Sequence, residues 1–212
     1  MTADVLQLIG KEIDLGGSEV LFAEPLSQEA LVESWQIHGG EWLVENGWLT
    51  GRSSMATSAV ALLPGHYPGN VLVDFEARTV SPYRHGLHFM WNVGWDWAAD
   101  RRGTAYIGGL QAWGEEKVGL ERSPDYRLNA AIPLFGFEPG RIYRIQGGSI
   151  DGHCFIFIDG WLALELMDPR PIDNRRFARV GFEACSSHIQ VRNIQVRRIV
   201  WRAVYRHYDL EH

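Results

Sequence analysis

The chain has 212 residues, 46% of them hydrophobic and 22% charged, an ordinary globular balance that excludes intrinsic disorder, collagen-like repeats and coiled coils. Lys and Arg number 20 against 26 acidic residues, a net charge of −6, which argues against a protein that grips nucleic acid by its phosphates. Nine Trp, seven Tyr and nine Phe together with 23 Gly suit short strands joined by tight turns better than a helical bundle.

The opening MTADVLQLIGKEIDLGG mixes acidic with apolar residues and has no basic flank ahead of an apolar run, so no secretion signal is expected. No apolar stretch approaches the roughly 20 residues a membrane span needs, so the expected location is the cytoplasm, without membrane contact. One short helix is predicted, Ser27 to Ser34, capped by Ser27 with Glu29 and Glu33 toward its positive end. From Trp35 onward the chain breaks into segments of five to nine residues punctuated by Gly, Pro, Asn or Asp, the mark of an antiparallel β protein. Glu41 to Val44 and Trp48 to Arg52 flank an Asn-Gly turn and form a hairpin. Val71 to Val80 alternates, with Val71, Val73, Phe75 and Ala77 on one face and Asp74, Glu76 and Arg78 on the other.

Leu87 to Val93 and Thr104 to Trp113 are further strands. Arg141 to Gly147 leads through a turn at Gly147 and Gly148 into a hairpin, His153 to Ile158 and Trp161 to Leu166, around Asp159-Gly160. Arg179 to Ala184 and Ile189 to Ile199 complete about ten to twelve strands, and the arginines at 192, 197, 198 and 202 read as an edge guarded by charge. Residues 1–209 are read as one all-β domain, a jelly-roll sandwich of two antiparallel sheets, and Leu210 to His212 as an expression-tag remnant. Cys154 and Cys185 are expected to be reduced and buried.

LFAEPL, Trp35, Gly39 and Gly40, the strand ending DFEAR, and then YRI, FIFIDG, MDP and VGF resemble the uncharacterised bacterial YesU-like family, over about residues 20–198. The resemblance implies a concanavalin A-like lectin/glucanase jelly roll with a sugar-sized groove on a concave face. A more distant likeness is to laminarinase-type glucanases, in which the third strand of the series carries the catalytic carboxylates. Here that strand is TAYIGGLQAW, with Gly108 and Gly109 and no acid, whereas retaining hydrolysis needs two carboxyls about 5 Å apart. A standard retaining glucanase is therefore excluded.

Consecutive strands usually pair, so Asp74, Glu76 and Arg78 are expected beside His88 and Asn92, which share a face of the next strand; the alternative is that the other face, Leu87, Phe89 and Trp91, lines the groove, where the glucanase likeness implies Trp91. In that cluster Glu76 or His88 would move protons and Arg78 would hold an oxyanion. Trp95, Trp97 and Trp113 are candidate platforms for a sugar ring, Trp95 and Trp113 foremost. His188, at a strand corner, is a third candidate for proton transfer. Glu183 stands where the resemblance implies Arg, a reversal of charge. A His85-x-x-His88 pair on a strand points its rings to opposite faces and makes no zinc site unless Gly86 starts a bulge. No cofactor is required by any motif; a calcium ion on Asp96, Asp100 or Asp168 is the candidate metal. The leading expectation is a mono- or oligosaccharide bound in the groove. The rivals are a hydrolase or lyase of an oxidised or acidic sugar, and a non-catalytic subunit that self-associates into a homo-oligomer.

Overall fold

The computed structural model describes residues 5–23, 25–54, 58–111, 117–133 and 136–205. Its core is a sandwich of two antiparallel sheets, with strands numbered in chain order. One sheet has seven strands in the order β14 (Asn129–Pro133), β13 (Lys117–Ser123), β12 (Ala105–Leu110), β9 (Leu87–Val93), β18 (Arg179–Cys185), β7 (Ser58–Leu62) and β4 (Gln36–His38). The facing sheet runs β17 (Trp161–Met167), β16 (His153–Ile158), β15 (Tyr143–Ile150), β8 (Val71–Thr79), β19 (His188–Arg198), β6 (Trp48–Arg52) and β5 (Glu41–Glu45), and β3 (Val20–Phe22) pairs with β19 as its eighth strand. The expected all-β jelly roll is present. Alternation closes it: Val73, Phe75 and Ala77 of β8 and Leu87, Phe89 and Trp91 of β9 face each other across the interior. Phe75 meets Phe89 and Phe182 edge-on, with ring centroids 5.1 and 5.0 Å apart.

Sequence neighbours β8 and β9 are thus in different sheets. β8 pairs with β15 and β19, and β9 with β12 and β18, so the expected pairing of residues 71–80 with 87–93 is corrected. Both strands bury one apolar face, and stacking those faces satisfies both more fully than pairing their edges would. The arginine-bearing β19 lies between β8 and β6 rather than at an edge, and Arg192 donates to Glu76 at 2.7 Å.

A third layer was not legible. β1 (Val5–Leu8), β2 (Lys11–Asp14) and β20 (Val200–Ala203) form a small sheet whose Leu6, Leu8 and Ile13 cover Leu72, Ile150, Phe155 and Phe157 on the outer face of the eight-stranded sheet. Beside this contact the His153 ring lies between Lys11 Nζ and Glu165 Oε2, each at 2.9 Å.

Local predictions hold where turn chemistry is specific. Ser27 caps α1 (Gln28–Ser34), accepting from the Ala30 amide at 3.0 Å. Asn46 and Gly47 take positive φ at the tip of the β5–β6 hairpin, as do Asp159 and Gly160 between β16 and β17. The expected turn at Gly147 and Gly148 is instead the middle of β15, and the chain reverses at Asp151 and Gly152. These two glycines are there for close approach: a Cβ on Gly147 would lie 2.4 Å from the Phe89 ring, and one on Gly148 2.0 Å from the Val71 carbonyl. Among the described residues no helix is long and apolar enough to cross a membrane. The terminal residues 210–212, read as a tag remnant, lie outside the described residues.

Candidate functional site

On the seven-stranded sheet the residues that alternate with the core point outward. Val60, Leu62, Met90, Ala105 and Ile107 pave that outer face, and Trp95 packs on them. A two-stranded hairpin, β10 (Trp95–Asp96) and β11 (Arg101–Arg102), pairs Trp95 with Arg102 and folds over this floor. Between hairpin and sheet runs a groove of about 800 Å3, lined among others by His38, Trp95, Arg102, Tyr126 and Glu183.

The sheet register brings His88 directly opposite Glu183, and the hairpin delivers a cation to the same carboxylate. Arg102 donates to Glu183 Oε2 at 2.5 Å, and His88 Nδ1 lies 3.3 Å from the same oxygen, so the arginine makes the closer contact. Burial by itself would raise the Glu183 carboxyl, but the hydrogen bond and charge of His88, the charge of Arg102 and the Ser58 hydroxyl outweigh it and hold the group at about 2. Glu183 is therefore an ionised carboxylate at neutral pH. Gly109 gives His88 its room, since a Cβ there would sit 2.8 Å from the imidazole.

The hairpin is pinned by His38. Its ring stacks on Trp95 with centroids 4.0 Å apart, and its Nδ1 lies 2.7 Å from Asp100 Oδ1, which also accepts from the Trp95 indole at 3.2 Å. Two polar atoms in this wall, His38 Nε2 and Arg102 Nε, are buried without a hydrogen-bond partner among the described residues. A buried polar atom left so costs about 1–3 kcal/mol, and such orphans concentrate where a ligand completes the bonding. Tyr126, 49% exposed and held at positive φ, stands at the rim, and Trp97, 56% exposed, lies next to His38 with Arg179 over its ring.

The structure gathers some of the sequence-predicted residues and scatters others. Glu183, His88 and Trp95 meet at one place. Asp74, Glu76 and Arg78 do not: they project from the outer face of the opposite sheet, where Asp74 takes two bonds from Arg144 and one from Gln146, Glu76 pairs with Arg192, and Arg78 donates to Gln190 and covers Trp48. Asn92 was expected beside His88. Asn92 itself is left-handed, at φ +50°, which breaks the alternation of β9 and turns its side chain inward, where its amide accepts from Ser149 and donates to the Phe177 carbonyl. His188 lies on the eight-stranded sheet opposite Arg52 and edge-on to Tyr83, away from the groove; burial and Arg52 both lower its pKa. Trp113 lies outside the described residues.

The candidate calcium ligands are spoken for. Asp168 is buried against the Tyr106 hydroxyl and Arg122, Asp96 caps the amides of Ala98 and Ala99 beside Arg101, and Asp100 serves His38 and Trp95. Among the described residues no three His, Cys, Asp or Glu side chains are grouped to hold a metal. His38, Arg102 and Tyr126 were missed by sequence reasoning. The segment GWDWAADRRG drew notice for its tryptophans, but nothing in the spacing signals that Arg102 folds back onto a residue 81 positions away.

In overall structure the chain is similar to a protein of unknown function with a galectin-like fold from Bacillus subtilis, with a TM-score of 0.69 and 18% identity over 86% of this chain and 99% of that one. It is also similar to the carbohydrate binding module CBM66 from Bacillus subtilis, with a TM-score of 0.61 and 14% identity over 78% and 96%. The potassium-bound Emp46p carbohydrate recognition domain matches at a TM-score of 0.58 and 14% identity over 85% and 96%. At such identities the likeness is one of fold. Neither a protein family model nor the sequence of a curated protein matches the chain.

Proposed function

We propose that this chain binds a saccharide in the groove on the outer face of its seven-stranded sheet, as a recognition module. The observation that carries this reading is the groove wall itself: rings at its rim, an apolar floor, and hydrogen-bonding atoms of Arg102 and His38 buried there without partners among the described residues. That combination suits a sugar, whose C–H faces pack on rings while its hydroxyls complete polar networks. Tyr126 offers exposed ring surface in the groove, because the Trp95 face toward His38 is taken and Trp97, outside the lining, carries Arg179 over its ring. The resemblance of its short phrases to the YesU-like family, and the fold shared with a carbohydrate binding module and a carbohydrate recognition domain, support the same reading.

The state of Glu183 removes it as the general acid of a hydrolysis. A carboxyl held at about 2 beside Arg102 carries no proton to give a leaving group at neutral pH, and general acid catalysis needs one. The test is titration of the protein with a panel of oligosaccharides, read by tryptophan fluorescence and calorimetry. Saturable binding that weakens by about tenfold or more in Arg102→Ala supports the proposal, on the scale expected for a lost charge-assisted hydrogen bond. A flat response to every sugar ends it.

A further inference from the structure

The wall of the groove carries information about which sugars fit. Asp100 is 73% exposed and its side-chain oxygen faces His38 Nδ1 at 2.7 Å. An ionised carboxylate only accepts hydrogen bonds, so in the neutral imidazole the proton sits on Nδ1 and Nε2 is left as a bare acceptor. Arg102 lies directly across the hairpin from Trp95, the ring on which His38 stacks, so the Arg102 Nε–H donor and the His38 Nε2 acceptor belong to the same stretch of wall. A donor beside an acceptor matches hydroxyl groups, each of which gives and takes. A carboxylate or sulfate oxygen can answer the arginine but has no proton for the histidine.

The charge of the wall points the same way. Among the described residues lining the groove each arginine already has a carboxylate, Arg102 with Glu183 at 2.5 Å and Arg101 with Asp96 at 3.6 Å, while Arg179, beyond the lining and over the Trp97 ring, donates to Gln36. Asp100 is then left over, so among the described lining residues two arginines stand against three carboxylates. An anionic ligand entering here meets an excess of negative charge, and because Asp100 stands largely in solvent the repulsion is strongest at low salt.

Resting on the saccharide-binding reading, we infer that the groove selects neutral sugars and rejects their carboxylated or sulfated counterparts, with Arg102 Nε as donor and His38 Nε2 as acceptor to the sugar hydroxyls. The rejected class includes the acidic sugars considered above as substrates of a lyase or hydrolase.

The experiment is calorimetry at pH 8 on the whole chain with matched pairs: oligosaccharides of glucose, galactose and mannose against the corresponding uronides and sulfate esters of equal length and linkage. The neutral member of at least one pair binds at least about tenfold tighter than its acidic partner. An acidic member that binds as tightly or more tightly overturns the selectivity while leaving saccharide binding intact, and binding by neither class overturns both. Glu183→Gln releases Arg102 from its counter-ion and shifts the preference toward the acid by about tenfold, whereas an unchanged ratio contradicts the account. If circular dichroism shows that this variant fails to fold, Asp100→Asn at the exposed end of the network removes one negative charge and is held to the same direction.

Discussion

Arg102 and Glu183, 81 residues apart in sequence, meet at 2.5 Å with both side chains largely withdrawn from water. The sequence marked Glu183 as a reversal of charge against its resemblance, and the fold supplies the answering cation from the β10–β11 hairpin. The pair fastens the hairpin to the sheet and places an arginine edge in the groove at the same time.

That pairing predicts a loss of stability in acid. The Glu183 carboxyl titrates at about 2 when folded against 4.5 when free, so the unfolded chain takes up its proton first. The contribution is fully present above about pH 4.5 and is lost as the pH falls toward 2, on the order of 3 kcal/mol for a shift of this size. Urea unfolding of wild type and Glu183→Gln at pH 6, 4.5 and 3 checks this. The wild type loses more stability over that interval than the variant, and parallel losses contradict the assignment.

His153 gives a window at higher pH. Burial and the neighbouring Lys11 lower its pKa against the opposing pull of Glu165, so the unfolded state binds the proton more readily. Stability therefore falls as the pH drops through about 6.5, the ordinary imidazole value, toward the lower folded one. Unfolding at pH 7.5 and 5.5 shows a smaller difference in His153→Gln than in wild type. Because His188 shifts in the same direction, a His188→Gln control separates the two residues.

The two outer faces separate stability from recognition. Asp74→Ala strips Arg144 and Gln146 of their acceptor on the sheet remote from the groove and costs about 1–3 kcal/mol, Arg144 being partly solvated. Sugar affinity in this variant stays within about twofold of wild type, whereas Arg102→Ala lowers it. Chemical denaturation and calorimetry on the same samples give both readings, and an affinity loss in Asp74→Ala places the site on the wrong sheet.

Gly148→Ala tests why a glycine stands in the middle of β15. Its methyl would lie 2.0 Å from the Val71 carbonyl oxygen, so the β8–β15 pairing must open, at about 3 kcal/mol or more. Gly160→Ala, with open space around it but φ +83°, costs only about 1 kcal/mol. Denaturation midpoints rank the two variants, and the reverse order contradicts the packing.

What the sequence made legible was local. The Asn46-Gly47 turn, the Ser27 cap and the alternation of β8 each follow from a few adjacent residues. The site was legible only in pieces, as Glu183, His88 and Trp95. What joins them is non-local pairing: β9 takes its partners from β12 and β18, and periodicity says which face is apolar without saying which strand lies beside it. Asn92 shows the second limit, since a single left-handed residue reverses the facing of every inference drawn from alternation beyond it. His38 shows the third, because its role exists only through contact with Trp95 and Asp100.

The central claim is the location of the binding surface, and chemical-shift mapping with a saturating neutral oligosaccharide tests it most directly. The account predicts shifts at the Trp95 indole N–H, the Arg102 side chain and the amides near His38, Tyr126 and Glu183, while the Trp48 indole between Arg78 and Arg192 on the opposite sheet stays unmoved. Shifts centred on Trp48 and Arg78, with the Trp95 and Arg102 signals unchanged, contradict it.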